Sequence, residues 1–256
     1  MKSTGNTILV TGGGSGIGRA YAEAFLKLGN RVIIAGRRKQ VLDEVVAANP
    51  GMESAVLDVE DGASIKPSAE ALVKRFPKLN VVLHSAGIMR PENLLSGDDL
   101  ATAEATISTN LLGTIRLTAA LLPGILKQPD GAVLTISSGL AFTPLHLTPT
   151  YCATKAAIHS FSQSLRYQLR NSKVSVIEII PPYLRTALMG QAQAEDPRAM
   201  PLADFISETM NIIQTQPDIA EVIVEKVKFL RFAEQGGPEK YNAFFKSFNE
   251  AMMAPH

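Results

Sequence analysis

The chain has no tryptophan and one cysteine, Cys152, and its charges nearly cancel, with 24 acidic against 25 basic residues. A lone cysteine excludes an internal disulfide framework and fits a reducing compartment. A formal net charge of +1 gives no electrostatic footprint for nucleic acid or an anionic membrane. No apolar run reaches membrane-spanning length, and Met1 to Gly5 leads into a strand-like segment without a signal-peptide core. The histidines at 84, 146, 159 and 256 lack metal-ligand spacing, so no metal site is expected. These exclusions leave a cytoplasmic globular protein. Its 256 residues, 46% of them hydrophobic, suffice to bury a core without staples.

Short apolar runs rich in β-branched residues alternate with longer amphipathic stretches. Strands are predicted at Thr7–Val10, Arg31–Ala35, Glu53–Leu57, Asn80–His84, Ala132–Ser137 and Val174–Ile180. Helical patterns fall near residues 16–28, 38–48, 62–76, 98–127 and 150–171. Such alternation implies right-handed crossovers and a doubly wound α/β fold, a parallel sheet with helices on both faces in a single domain. Residues 183–216 are expected to cover the sheet's C-terminal edge as a substrate lid. The tail from Ala220 onward reads as helical, with no further strand.

Thr11-Gly-Gly-Gly-Ser-Gly-Ile-Gly18 follows the first strand and opens the first helix. Gly12 permits the turn, Gly16 clears room for a pyrophosphate, and Gly18 lets the helix pack against the sheet. The free N–H groups and dipole of that helix end favour phosphate. Ser15 and Ile17 belong to the same expected coenzyme-binding turn.

Tyr151 and Lys155 stand four residues apart and share a helix face. Thr148 and Pro149 are the expected N-cap and first-turn residues of that helix. A phenol is a poor base at neutral pH, but a neighbouring ammonium favours its ionised form. The same phenol, protonated, can supply a proton to a carbonyl oxygen. Ser138 ends a predicted strand thirteen positions before Tyr151, and Asn110 lies within a helical stretch.

Together the glycine loop, Asn110, Ser138, Tyr151 and Lys155 resemble the short-chain dehydrogenase/reductase family over most of residues 6–190. The block SSGLAF…YCATKAA with EIIPPYLRT is loosely similar to a bacterial subgroup connected with lipoteichoic-acid D-alanylation. The resemblance implies a Rossmann-type sheet and reversible hydride transfer between a nicotinamide coenzyme and a carbonyl or secondary alcohol. Tyr151 would act as acid and base. Lys155 would tune it and bind the ribose, Ser138 would orient the substrate oxygen, and Asn110 would support the proton relay. Asp58 and Val59 would lie near the adenine, Ala86 and Gly87 along the adenosine, and Thr186 at the nicotinamide carboxamide. His84 and Ser85 replace the family's two asparagines, and Pro182 replaces a glycine and removes an N–H. Proteins of this fold that bind a dinucleotide without turnover, as redox sensors or scaffolds, form the competing class.

The coenzyme is expected to be NADP(H), with NAD(H) possible. Arg37 and Arg38 follow the second strand where NAD-specific sites place a carboxylate, and Asp43 lies too far along the next helix. Arginine's planar fork suits a 2′-phosphate. Leu140, Phe142, Leu145, Tyr183, Leu184, Leu188 and Met189 flank the expected site and suggest a substrate apolar near its reacting carbon, the alternative being that they pack a lid against the core. Apolar positions such as Leu111, Leu112, Ile115, Leu122 and Phe161 suggest a homodimer or homotetramer. Cys152, Met252 and Met253 are expected to serve packing, and His146, in the loop between Ser138 and Tyr151, to be a plain loop residue, with contact to substrate as the alternative.

Overall fold

The computed structural model describes residues 1–97 and 100–253. Seven strands form one sheet: β1 (Thr7–Thr11), β2 (Arg31–Gly36), β3 (Glu53–Val56), β4 (Leu79–His84), β5 (Gly131–Ile136), β6 (Val174–Ile180) and β7 (Glu221–Ile223). Their order is β3-β2-β1-β4-β5-β6-β7, with every pairing parallel. Every residue of β1 and β5 is buried, as covering on both faces requires.

Two apolar bodies sandwich the sheet. On one face Ile8, Val10, Tyr21, Phe25 and Phe205 pack with α1 (Gly16–Lys27) and α2 (Lys39–Ala48). On the other, Leu9, Ile33, Leu117, Leu121 and Val133 pack with α3 (Gly62–Arg75) and further helices. The chain leaves β1 in one direction and returns through β4 in the other, which opens a crevice at their C-terminal ends. Thr11 closes the base of that crevice: its Oγ1 accepts hydrogen bonds from the Ser85 and Ala86 N–H groups, each at 3.1 Å.

The predicted helix over 98–127 is broken. Its first two residues lie outside those described. The remainder forms α4 (Leu100–Ile107), a π-helical turn at Ser108–Leu112 and α5 (Gly113–Ile125). A continuous apolar pattern carries no sign of such a break, because a π turn changes register without changing composition. The predicted helix over 150–171 is α6 (Pro149–Gln168).

Strand β7 corrects the expectation of a tail without strands. It is three residues long and pairs only with β6, too short to show strand periodicity. Residues 183–216 divide in two. The first part holds α7 (Gln191–Glu195) and is pinched at its base, where Leu184 bridges Met200 and Met200 N–H donates to Tyr183 O at 2.9 Å. The second part is α8 (Leu202–Thr215), which packs in the core: Phe205 is fully buried, and Tyr21 donates to Thr209 at 2.7 Å. Two further helices, α9 (Lys228–Arg231) and α10 (Pro238–Met253), complete the described chain. Within those residues no helix is long and apolar enough to cross a membrane.

Phe205→Ala should lower the unfolding free energy by about 3–5 kcal/mol, the usual cost of emptying a filled aromatic site. Urea denaturation checks this; a loss within error of zero would place α8 outside the core.

Candidate active site

The glycine turn is shaped by contact as much as by conformation. Gly12 has φ +66°, and a Cβ there would lie 2.9 Å from the Ala86 backbone. A Cβ on Gly18 would meet the Gly12 carbonyl oxygen at 2.5 Å. Both distances are below any real contact, so β1, α1 and the segment after β4 can converge only with glycine at these positions. Ser15 is the N-cap of α1 but makes no side-chain cap bond, which keeps the first-turn N–H groups available to an anion.

Helix α6 carries Tyr151 and Lys155, both nearly fully buried. Its expected N-cap, Thr148, makes no side-chain cap bond, although Pro149 does occupy the first turn. The cap comes from a distant loop instead. Glu92 accepts from Thr150 N at 3.1 Å and from Thr150 Oγ1 at 2.6 Å. A carboxylate is well placed at this positive helix end, and it fixes the residue next to Tyr151.

Ser138 follows β5 and caps a short turn, its Oγ accepting from Leu140 N at 3.1 Å. Burial pushes the Tyr151 phenol well above its ordinary value; a hydrogen bond with Ser138 opposes that rise, and Cys152 adds slightly to it. The expected lowering by Lys155 does not govern the phenol: the ammonium lies 5.4 Å from the ring centroid, and burial prevails. Lys155 Nζ donates to Ile136 O at 2.7 Å. Burial brings this lysine down to about 8, against an upward pull from Glu178.

Asn110 sits within the π turn, 2% exposed, and its side chain is committed. Oδ1 accepts from Ile88 N at 2.8 Å, and Nδ2 donates to Ile88 O at 2.9 Å and to Thr154 Oγ1 at 3.3 Å. It braces the loop after β4 against α6 and is not part of the cavity wall.

That wall belongs to one cavity of about 940 Å³. Gly12, Ser15, Gly16, Ile17, Gly18, Arg37, Arg38, Asp58 and Val59 line one end, with Ala86, Gly87 and Thr186 further along. Ser138, Tyr151 and Lys155 meet toward the other end. Arg37 is not alone: Glu60 Oε2 lies 3.3 Å from its Nη1, a carboxylate closer in space than Asp43, which pairs with Lys39 at 2.6 Å. His84 points away from the cavity. Its Nε2 lies 2.9 Å from Thr118 Oγ1, whose proton goes to Thr114 O, so Nε2 carries the ring proton. Burial holds this histidine down to about 4 and hence neutral.

Leu140, Leu145, Tyr183, Leu184, Leu188 and Met189 line the cavity, whereas Phe142 stacks edge-on against His159. Sequence reasoning missed the opposite wall. Phe229, Phe248 and Met252 face the same space from the C-terminal region. Helix α10 is clasped there by Asn249, which accepts from His146 N at 2.8 Å and donates to Pro144 O at 3.1 Å. No local pattern marks such a contact, because its partners are about a hundred residues apart. Nor did residue spacing reveal that His159, Glu178 and Glu221 bring possible ligand atoms within 4.8 Å of one another; three separate elements supply them. Cys152 is buried, with Leu145 N–H directed at its sulfur at 3.3 Å.

A family described as short chain dehydrogenase matches residues 6–197. The chain belongs to that family. This short-chain dehydrogenase is 42% identical over 189 residues to the uncharacterized oxidoreductase DltE of Bacillus subtilis, covering 73% of this chain and 75% of that one. It is similar in structure to a short-chain dehydrogenase of Shigella flexneri solved with NADP, with a TM-score of 0.74, 27% identity, and 84% and 95% of the two chains covered. A short-chain dehydrogenase/reductase of Burkholderia phymatum solved with NAD shares the fold at a TM-score of 0.78, with 20% identity and 92% and 95% covered. The membership makes this dehydrogenase a dinucleotide-dependent oxidoreductase.

Glu92→Ala removes a charged cap and leaves the first turn of α6 short of an acceptor. Stability should fall by about 1–2 kcal/mol, and Glu92→Gln should lose less. Thermal and urea melts of both variants measure this; an alanine variant as stable as the parent would dismiss the cap.

Proposed function

We propose that this dehydrogenase transfers hydride between NADP(H) and a carbonyl or secondary alcohol that is apolar near its reacting carbon. The observation that carries the reading is the meeting of Ser138, Tyr151 and Lys155 on a cavity that runs back to the glycine turn and the two arginines. The residues present fit a dinucleotide. Gly16, with φ +55° and open space where a Cβ would stand, offers a smooth approach to the free N–H groups of α1. Arg37 and Arg38 offer planar donors for a 2′-phosphate. NAD(H) remains the second coenzyme, because Glu60 beside Arg37 could instead accept from a ribose hydroxyl.

When bound, the nicotinamide supplies or accepts the hydride. The protein handles the proton. Burial keeps the Tyr151 phenol protonated, which suits a group that donates to the oxygen of a carbonyl being reduced. Ser138 lines the cavity together with that phenol and orients the same oxygen. Lys155, held on Ile136 O, turns its remaining protons toward the cavity and the coenzyme ribose. Asn110 acts one step removed, by fixing the loop at Ile88. Residues 183–200, pinched at Leu184 and Met200, form the covering lid, while α8 stays in the core. Half-buried apolar residues on α5 and α6, Ile115 and Phe161 among them, support pairing of two chains through these helices.

Tyr151→Phe keeps the ring and removes the proton. Turnover should fall ~10²–10⁴-fold, with coenzyme affinity nearly unchanged in a fluorescence titration. Undiminished turnover in this variant would refute the mechanism. Arg37→Ala should raise KM for NADPH far more than KM for NADH; steady-state kinetics with both coenzymes decide the preference, and a higher kcat/KM with NADH in the unaltered protein would reverse it.

A further inference from the structure

Tyr151, Lys155 and His159 follow one another at intervals of four along α6 and share one of its faces. Beneath that face lies Glu178 of β6. Its register partner on β5 is Thr135, whose hydroxyl meets Ser162 of α6 at 2.8 Å. Paired residues of adjacent strands share a face, so Glu178 also points toward α6. The next residue of β5, Ile136, supplies the carbonyl that holds Lys155 Nζ.

Glu178 is fully buried. One oxygen, Oε2, lies 2.8 Å from His159 Nδ1. The other, Oε1, is buried with no hydrogen-bond partner. A carboxylate placed so costs free energy unless positive charge compensates it. The cations of the neighbouring elements are otherwise engaged. Arg166 of α6 is spent on the carbonyls of Val176 and Ala220, at 2.9 and 2.8 Å. Arg231 of α9 grips both oxygens of Glu221 of β7, at 2.9 and 3.2 Å. Arg231 thus neutralises Glu221 and leaves Glu178 without a cation from that side. On the faces that meet Glu178, β5 contributes only the uncharged Thr135. Among the described residues, Lys155 is left as the buried cation with no carboxylate in direct contact.

We propose that Glu178 is the counter-charge of Lys155, a positioning residue that keeps the ammonium charged, and that His159 at Oε2 sets how much of that charge reaches the lysine. The assignment rests on the catalytic role given to Lys155 above. The opposed effects of burial and of Glu178 on the lysine agree with it. An ammonium is what ribose hydroxyls and a developing phenolate both require, so loss of the counter-charge removes activity from the alkaline side first.

Lys155 lines the cavity, so a small acylating reagent such as acetic anhydride can test its charge without turnover. The rate of acylation at Lys155 is followed by mass spectrometry from neutral to alkaline pH in the parent, Glu178→Gln and His159→Ala. The midpoint should fall by about one pH unit in Glu178→Gln and rise in His159→Ala, which frees the carboxylate from its neighbour. The alkaline limb of kcat/KM should fall with the midpoint in Glu178→Gln. A folded Glu178→Gln whose midpoint stays or rises overturns the proposal. Should circular dichroism show Glu178→Gln unfolded, His159→Ala decides alone, and an unmoved or lowered midpoint overturns it. Because acylation needs no substrate, this result stands apart from failure of the hydride-transfer reading, which Tyr151→Phe tests.

Discussion

Lys155 brings a positive charge into a largely apolar interior, and much of the surrounding architecture serves to accommodate it. Helix α6 holds the lysine 7% exposed over the end of β5, where a main-chain carbonyl receives it. A charged group in such a place is tolerated only with acceptors and opposite charge in reach. The carbonyl of Ile136 is one answer, and Glu178 beneath the same helix is proposed as the other. The helix must therefore stay fixed at both ends of this stretch. Glu92 does so at its start, and Arg166 lashes its later turns to Val176 and Ala220. On that proposal, the charge accounts for a carboxylate on a strand where the neighbours on either side are isoleucines.

The coenzyme end of the cavity is governed by steric exclusion. Strand β1 ends where the chain must turn, open α1 and pass within contact of the segment after β4. Thr11 ties that segment down through two N–H groups, and glycines at 12 and 18 let the backbones meet. The result is a narrow bracket of main chain whose unused N–H groups face the crevice. Side chains enter only at the edges, as Arg37 and Arg38 on one flank and Asp58 on another. The shape of this end thus depends on geometry that tolerates few substitutions, while the preference proposed between coenzymes would depend on side chains that can change freely.

The fold was legible because its strands are short apolar runs buried on both faces, a pattern visible in composition alone. Boundaries fell within a residue or two for β1, β2, β4 and β6. The short strand β7 escaped notice because three paired residues leave no periodicity. The turn at Asn110 escaped because a π register looks like any helix in sequence. The candidate site was legible to the extent that its parts lie close in the chain, as Tyr151 and Lys155 do, or follow a strand, as Ser138 does. Glu92 could not be read, since its partner Thr150 is 58 positions away and a surface glutamate looks the same. The sense of the force on Tyr151 was also misjudged. Spacing indicates which charges are near, but burial depends on how the whole chain closes around the ring.

Helix α10 has a consequence for how such a protein diverges. The family match ends at residue 197, yet Phe229, Phe248 and Met252 face the same cavity as Tyr151. Asn249 fastens the helix to the loop through the Pro144 carbonyl, the His146 N–H and the His146 ring, whose Nδ1 lies 2.9 Å from Asn249 Oδ1. The residues proposed to handle the proton thus lie within the family match, and one wall of the space they act on comes from a helix beyond it. A lineage can exchange that piece, or alter its inward-facing side chains, and acquire a new substrate while the chemistry is inherited intact.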